Sequence, residues 1–550
     1  MPPVPAAPTP RLRRLPLPPV LRLARPSDIW FKPALSVVAS VAPPNLTLLA
    51  LGRLDLAMYT MAGSLCALYA HNRPYAARAR VLARVVLGMV AGLAVALVSA
   101  SLTTSAVLLV TVGALLAALQ KALCDATRIG PPGNVVLTFI SSASLFAPQT
   151  LGQVPGHLAL ALAAGLWAWL VGMAPGLLRP HGPERRATAQ ALNAAAAHAA
   201  AHPADGPRTR AAAAAAVQAA WQALLATGDT RTRRSLERLL VRAEVALAAP
   251  ADTDPARLRT WARELCGNGH LPELDDPWAA DELLGVDVEL AAPARSLWAR
   301  LGPLTPIAVR TALGCALAGY ASLALGVGRP YWALVTAASL YQANLALTWS
   351  RGVQRVVGNL LGVLLFAAVA PLAHVGQVLL VVCCLAFNFG AEALMGRNYW
   401  LGSVCVTPMA LLVTEFARAQ QPGQLITERV VDTVVGALVG LLAAVAVTNR
   451  RAGDRVEHAL TAAERAGERT ARLLTEPAPA PAALEAARRN LATALADLRA
   501  TADAAAGEWW QRALPQERVV HAEQTGHRTL AATVRHQGLH GTTSAEGIRP

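Results

Sequence analysis

The chain has 550 residues, 54% of them hydrophobic and only 15% charged, whereas a soluble protein carries about a quarter of its residues charged. With a mean hydropathy of +0.39 and apolar residues gathered into runs of about 17–23, long enough for a hydrocarbon core of about 30 Å, the chain is excluded from the ordinary soluble enzymes. It is predicted to be an all-α polytopic membrane protein. The net charge of +15 does not indicate nucleic acid: no aromatic-interleaved basic module is present, and basic residues of membrane proteins hold loops in the cytoplasm.

Residues 1–32 form a basic, Pro/Arg-rich N-terminus with no short apolar core followed by a cleavage site, so the first span is expected to be an uncleaved anchor. Only Lys32 and Lys121 among the 49 basic residues are lysine; with so much alanine, this suggests a GC-rich bacterial genome. Spans are predicted at 33–52, 55–71, 85–103, 105–123, 133–149 and 157–178, then at 306–327, 330–348, 356–372, 375–395, 398–415 and 428–447. That makes twelve, in two six-helix halves, 33–178 and 306–447.

Charge orients them. With both termini cytoplasmic, the inner flanks carry Arg11, Arg13, Arg14, Arg22, Arg25, Lys32, Arg73, Arg78, Arg80, Arg84, Lys121, Arg128, Arg351, Arg355, Arg397, Arg450 and Arg451. The outer flanks carry only Arg53, Arg329, Arg418 and Arg429. The excess of basic residues inside predicts a multi-pass protein of the plasma membrane with both ends in the cytoplasm.

Residues 179–305 are too polar to span and are expected to be a cytoplasmic helical domain. Its acidic cluster, Glu273, Asp275, Asp276, Asp281, Glu282 and Asp287, follows an Arg-rich stretch, a pattern of intramolecular charge pairing. A second cytoplasmic helical region is expected at 448–515, and a disordered tail at 516–550.

Arg80-x3-Arg84-Val85-Val86 in the first half is echoed by Arg351-x3-Arg355-Val356-Val357 in the second. Residues four apart share a helix face, so Arg80, Arg84, Gly88 and Gly92 form one stripe, as do Arg355, Asn359 and Gly362. The arginines are either positive-inside anchors that snorkel to lipid phosphates or a ring at the cytoplasmic mouth that gathers organic anions. Inside the span 330–348 lie Tyr341, Gln342 and Asn344, whose polar groups need partners in lipid; they are packing contacts or ligand contacts. Asn388 with Glu392, and Asp432, place polar and ionisable groups at membrane depth, where they are candidates for proton coupling or for counter-ions to Arg310.

Neither lysine follows a glycine, so the chain carries no P-loop, and it has no His-Glu-x-x-His or Gly-x-Ser-x-Gly motif. His198/His202 and His536/His540 have i,i+4 spacing without acidic or Cys partners, and no metal site, cofactor or enzymatic activity is expected. Five of the seven cysteines (Cys66, Cys315, Cys383, Cys384, Cys405) fall in apolar runs, where cysteine behaves as a small hydrophobe.

The stretch GRPYWALVTAASLYQANLALTWSRGVQRVVGNLLG (328–362), preceded by Val309-Arg310-Thr311-Ala312-Leu313, resembles the fusaric acid resistance-like family of integral membrane transporters. The shared pattern is an Arg-Ala/Thr-Leu helix start, a Tyr-Trp pair opening a span, and Arg-x3-Arg-x2-Gly-Thr-x2-Gly, with Asn359 where the threonine is usual. Residues 428–436 resemble the family's closing helix, and the likeness covers about 306–447. It implies a relative of aromatic carboxylic acid exporters and, more distantly, of plant anion channels of the malate type. That favours the mouth-ring reading of Arg351 and Arg355. The expected function is secondary export of small organic acids, aromatic ones among them; the alternatives are a passive organic-anion channel or a membrane-anchored scaffold. The implied partners are membrane lipid and a small organic anion, not nucleic acid, and a homo-oligomer is compatible with the sequence.

Overall fold

The structure, a computed structural model, describes residues 18–23, 30–202, 205–227, 230–248, 250–267, 271–272, 298, 301–342, 344–416, 420–447, 452–477, 480–506 and 515–546. The acidic cluster at 273–287 and Arg11, Arg13, Arg14, Arg25, Arg418, Arg450 and Arg451 lie outside the described residues. Among the described residues, the regular elements are all helices. The first half contains α1 (Phe31–Ala50), α2 (Ala57–Ser64), α3 (Tyr75–Leu102), α4 (Ala106–Thr127), α5 (Val135–Leu145), α6 (Val154–Met173) and the short α7 (Pro175–Leu178). Polar helices follow: α8 (Gly182–Ala199), α9 (Gly206–Leu225), α10 (Arg231–Ala248) and α11 (Pro255–Cys266). The second half contains α12 (Thr305–Ala324), α13 (Tyr331–Leu340), α14 (Leu345–Ala373), α15 (Gln377–Met395), α16 (Tyr399–Glu415) and α17 (Pro422–Ala446). Three more polar helices close the chain: α18 (Ala452–Thr475), α19 (Pro481–Ala506) and α20 (Gln516–Glu546).

A helix occupies each of the twelve predicted positions, but only eight are long and apolar enough to cross a membrane. The stretches 54–68, 135–145 and 331–340 are apolar but short, and α16 has 17 residues. Burial explains why a short helix suffices: every residue of α13 is buried, so protein rather than lipid surrounds it and its length need not match the bilayer. The predicted tail is also corrected, because residues 516–546 form α20.

The halves repeat one packing scheme. α1 packs on α2 and α6, α3 on α5 and α6, and α4 on α5; in the same way α12 packs on α13 and α17, α14 on α16 and α17, and α15 on α16. The halves then exchange contacts, α1 against α15 and α12 against α4. Even the caps recur. At the end of α1, Arg53 N–H donates to Leu48 O (2.8 Å) around Gly52 at φ +65°. At the end of α12, Val327 N–H donates to Ser322 O (3.1 Å) around Gly326 at φ +73°. Both are left-handed glycine caps that satisfy terminal carbonyls. In transporters built from duplicated helical units the substrate site lies at the repeat interface.

Small residues bring the helices together. A Cβ at Gly358 or Gly362 would run into Trp400, Ser403, Val404 or Thr407 of α16, and one at Gly436 would meet Ala333 O of α13 at 2.5 Å. Asn359 bridges three helices: its Nδ2 donates to Thr433 Oγ1 (3.0 Å) and its Oδ1 accepts from Thr407 Oγ1 (2.7 Å). The corresponding stripe in the first half is not a packing face. Arg80, Arg84 and Gly88 are exposed and point outward, and of that set only Gly92 is packed, against Gln120 and Ser141.

The polar helices form two bundles with their own cores, one around Leu192, Trp221, Leu224 and Leu239, the other around Leu460, Leu491, Leu495 and Leu498. A buried charge network joins them. Arg488 pairs with Glu244 (2.8 Å) and Glu485 (2.5 Å), Arg489 lies 3.5 Å over the Trp221 ring, and Trp221 Nε1 donates to Glu244 Oε1 (2.6 Å). His198 is buried with Nδ1 3.1 Å from Thr209 Oγ1.

His527 on α20 gives a pH test of this joint. Burial first, then the charges of Arg210 and His198, pushes its pKa down from 6.5 to about 4. The unfolded chain therefore binds a proton between pH 6.5 and 4 that the folded chain refuses, so stability from this group is lost as pH falls through that window. Glu523, beside Arg499, Asp503 and Arg210, is pushed up by burial and acts in the opposite direction. A His527→Gln variant isolates the histidine: lowering pH from 6.5 to 4.5 should depress the thermal midpoint of the native chain more than that of the variant. Equal depression would show that His527 is already solvated.

Candidate functional site

Both halves and the polar helix α19 enclose one cavity of about 2000 Å³. Its near end faces the N-terminal segment, where Val20 O accepts from Gln354 Nε2 (2.9 Å) and Asn398 Nδ2 (3.0 Å) and Leu21 O accepts from Trp400 Nε1 (3.2 Å). Arg73, Lys121, Arg128, Arg310, Gln342 and Arg351 line that end; Arg53, Asp55, His157, Arg329, Gln420 and Glu428 line the far end. The described lining carries ten Arg and Lys (Arg53, Arg73, Lys121, Arg128, Arg310, Arg329, Arg351, Arg355, Arg429, Arg455). Five carboxylates face them (Asp55, Asp125, Glu392, Glu428, Asp497).

Several of these cations are already engaged. Arg53 pairs with Asp55 and Lys121 with Asp125, each at 3.0 Å. Arg329 pairs with Glu428 and donates to Gln420. Arg310 is 3% exposed and donates twice to Val447 O, at 3.0 and 2.6 Å, so it closes the C-terminus of α17. Besides Arg310, and besides Arg73, which donates to Arg128 O, and Arg128 itself, three lining arginines form no ion pair among the described residues: Arg351, Arg355 and Arg429.

These three sit on two helices whose starts lie further out than the hydropathy suggests. α14 begins at Leu345, not 356, because Asn344 caps it by accepting from Leu347 N–H (2.9 Å). Arg351 and Arg355 therefore stand one turn apart inside a 29-residue helix. Both meet Tyr399, the first residue of α16: Arg351 Cζ lies 3.8 Å from the ring centroid, and Arg355 Nη1 donates to the hydroxyl at 3.0 Å. Arg355 is 4% exposed, with Nε unpartnered. α17 begins at Pro422, so Arg429 is two turns inside it, 1% exposed, with Nε and Nη1 both unpartnered. Its Cζ lies 5.1 Å from the Trp332 ring centroid, within cation–π reach, and Arg329 is 5.4 Å from the same ring.

The backbone breaks between α13 and α14, and Tyr341 and Gln342 on this non-helical stretch line the cavity. Irregular backbone at membrane depth is tolerated where it lines such a space. Tyr341 is buried with its hydroxyl unpartnered, packed against Gly314. Gln342 Nε2 donates to Tyr341 O (3.2 Å). Asn388 lines the cavity and donates to Cys384 O (3.0 Å), and Glu392 lines it without an ion pair among the described residues.

Of the residues expected at the site, the fold brings together Arg310, Tyr341, Gln342, Arg351, Arg355, Asn388 and Glu392. Arg80 and Arg84 are not there: they occupy the outer face of α3, while the buried arginine of that helix is Arg78, bonded to His71 Nδ1 at 3.2 Å. Asp432 is fully buried behind the wall, accepting from Ser322 Oγ (2.6 Å). Asn344 caps α14 and reaches outward to Asp503 O (3.5 Å). Tyr399, Arg429 and the Arg329–Glu428 pair were missed. The signal for Glu428 and Arg429 is the run Glu428-Arg429-x-x-Asp432, of which hydropathy places Asp432 inside the membrane but leaves Arg429 on the outer flank; nothing in the sequence singles out Tyr399.

Residues 316–443 match the family described as Fusaric acid resistance protein-like, which shows the resemblance over the second membrane half. A curated relative, described as "Uncharacterized membrane protein YvaC" from Bacillus subtilis (strain 168), is 31% identical over 137 residues. That match covers 24% of this chain and 22% of the relative, so the chain spans about a fifth of its length. No solved structure matches the chain significantly.

Proposed function

We propose that the cavity carries small organic anions, aromatic acids among them, out of the cytoplasm across the plasma membrane, with both termini and the polar helices on the cytoplasmic side. The observation that carries this reading is the set Arg351, Arg355 and Arg429: cations on the cavity wall with no carboxylate within ion-pair distance among the described residues and, in two of them, buried donors without an acceptor, Asp432 acting on Arg429 only at longer range. A buried cation without a partner is costly, and a passing carboxylate supplies the missing acceptors. Anions enter past Arg351, bind at Arg355 and Arg429, and leave past Arg329. Glu392 and Asp432 are the groups that couple this movement to protons. The lining of one cavity from both mouths favours a second reading, a passive anion channel, in which neither acid is needed.

Lysine retains charge but loses the planar guanidinium fork. Arg355→Lys should therefore slow anion flux and Arg355→Gln slow it further, measured per correctly inserted molecule. If Arg355 merely anchors its helix, lysine would substitute freely, and native flux in both variants would remove the residue from the pathway.

A further inference from the structure

The near end of the cavity is closed by a helix that belongs to neither membrane half. Asp497, Ala500, Thr501, Ala504 and Ala505 of α19 line the same space as Arg351 and Gln342. Asn344, at the backbone break between α13 and α14, donates its Nδ2 to Asp503 O on that helix (3.5 Å). The other end of α19 is clamped. Glu485, Arg488 and Arg489, all buried, hold Glu244 of α10 and Trp221 of α9. The clamp at Arg488 and the contact at Asp503 are about 22 Å apart at 1.5 Å per residue.

We infer that α19 is a lid on the near mouth, a lever clamped to the α8–α11 bundle and latched to the membrane half through Asn344 and Asp503. Small residues make the seat close: alanines 500, 504 and 505 face the cavity, so the helix covers the opening without filling it. Among the described residues the latch is one long hydrogen bond, while the clamp is a buried network. The lid therefore opens by parting at Asn344, and α19 moves with the α18–α20 bundle in whose core it is packed and with the α8–α11 bundle to which the clamp joins it. This rests on reading the cavity as a transport path, but its test needs no transport and can fail independently.

The test uses the full chain in membrane vesicles, with its seven cysteines replaced and Ser339→Cys placed on the cavity wall behind the lid. Modification by a membrane-impermeant methanethiosulfonate is timed from the side bearing the polar helices, with one cationic and one anionic reagent. Asn344→Asp retains the cap on Leu347 N–H but has no donor for Asp503 O. Glu244→Gln loosens the clamp instead and serves if the first variant folds poorly. Both should speed modification by both reagents about fivefold or more, the size set by one lost hydrogen bond. Unchanged rates in folded variants would overturn the lid. So would acceleration confined to the cationic reagent, which would reflect only the charge added at position 344.

Discussion

Arg429→Gln is expected to lower anion flux roughly 10- to 100-fold, the range for removing one charge-assisted hydrogen bond of about 1.5–3 kcal/mol. The argument is one of position. Arg429 is 1% exposed, lines the cavity and has two N–H groups without acceptors. Arg310, by contrast, directs its donors to Val447 O and closes a helix end. Arg429→Lys should recover little, because a compact ammonium cannot lie over Trp332 as the planar group does. The check is flux of a labelled carboxylate in proteoliposomes at matched protein content. Native flux in Arg429→Gln would make the residue a packing element, and the pathway would have to run elsewhere.

The second large effect is on stability. A Cβ at Gly63 would stand 2.1 Å from Ala161 O and 2.4 Å from Gly165 N, both backbone atoms of α6 that cannot rotate away. Gly63→Ala must therefore part α2 from α6, at a cost of about 3 kcal/mol or more, the upper range for overpacked cores. Gly88 is the internal control, for nothing lies within 4 Å of its Cβ position. Gly88→Ala should leave stability unchanged or raise it by up to about 1 kcal/mol through helix propensity. Thermal unfolding in detergent decides the matter. A Gly63→Ala midpoint equal to that of Gly88→Ala would refute the packing.

Much of the fold was legible because hydropathy reads burial along a helix. The twelve helix positions and the polar insert follow from it, while the duplication shows in the repeated Arg-x3-Arg-Val-Val motif. What it could not give was length. α13 is shorter than the predicted span 330–348 because protein encloses it, and a window that scores apolarity does not separate burial in protein from burial in lipid. The same blindness displaced the starts of α14 and α17, so Arg429 was read as a flank when it lies inside. The repeat misled in another way. Arg80/Arg84 and Arg351/Arg355 have the same spacing, but spacing fixes only that two residues share a face, not which face turns inward. Burial on α3 selects Arg78, and on α14 it selects Arg355. In the sequence Asn359 stands out only as a polar departure from a family motif; that it bridges Thr407 and Thr433 required the fold.

The central claim, that this basic cavity passes small organic anions, is tested most directly by release of labelled benzoate and labelled choline from proteoliposomes, with the Arg355→Gln and Arg429→Gln chains alongside. Benzoate should leave faster than from protein-free vesicles and choline should not. The benzoate rate should fall in both variants and weaken as salt shortens the Debye length below about 8 Å. Release of benzoate no faster than from empty vesicles, or equal release of choline, would contradict the account.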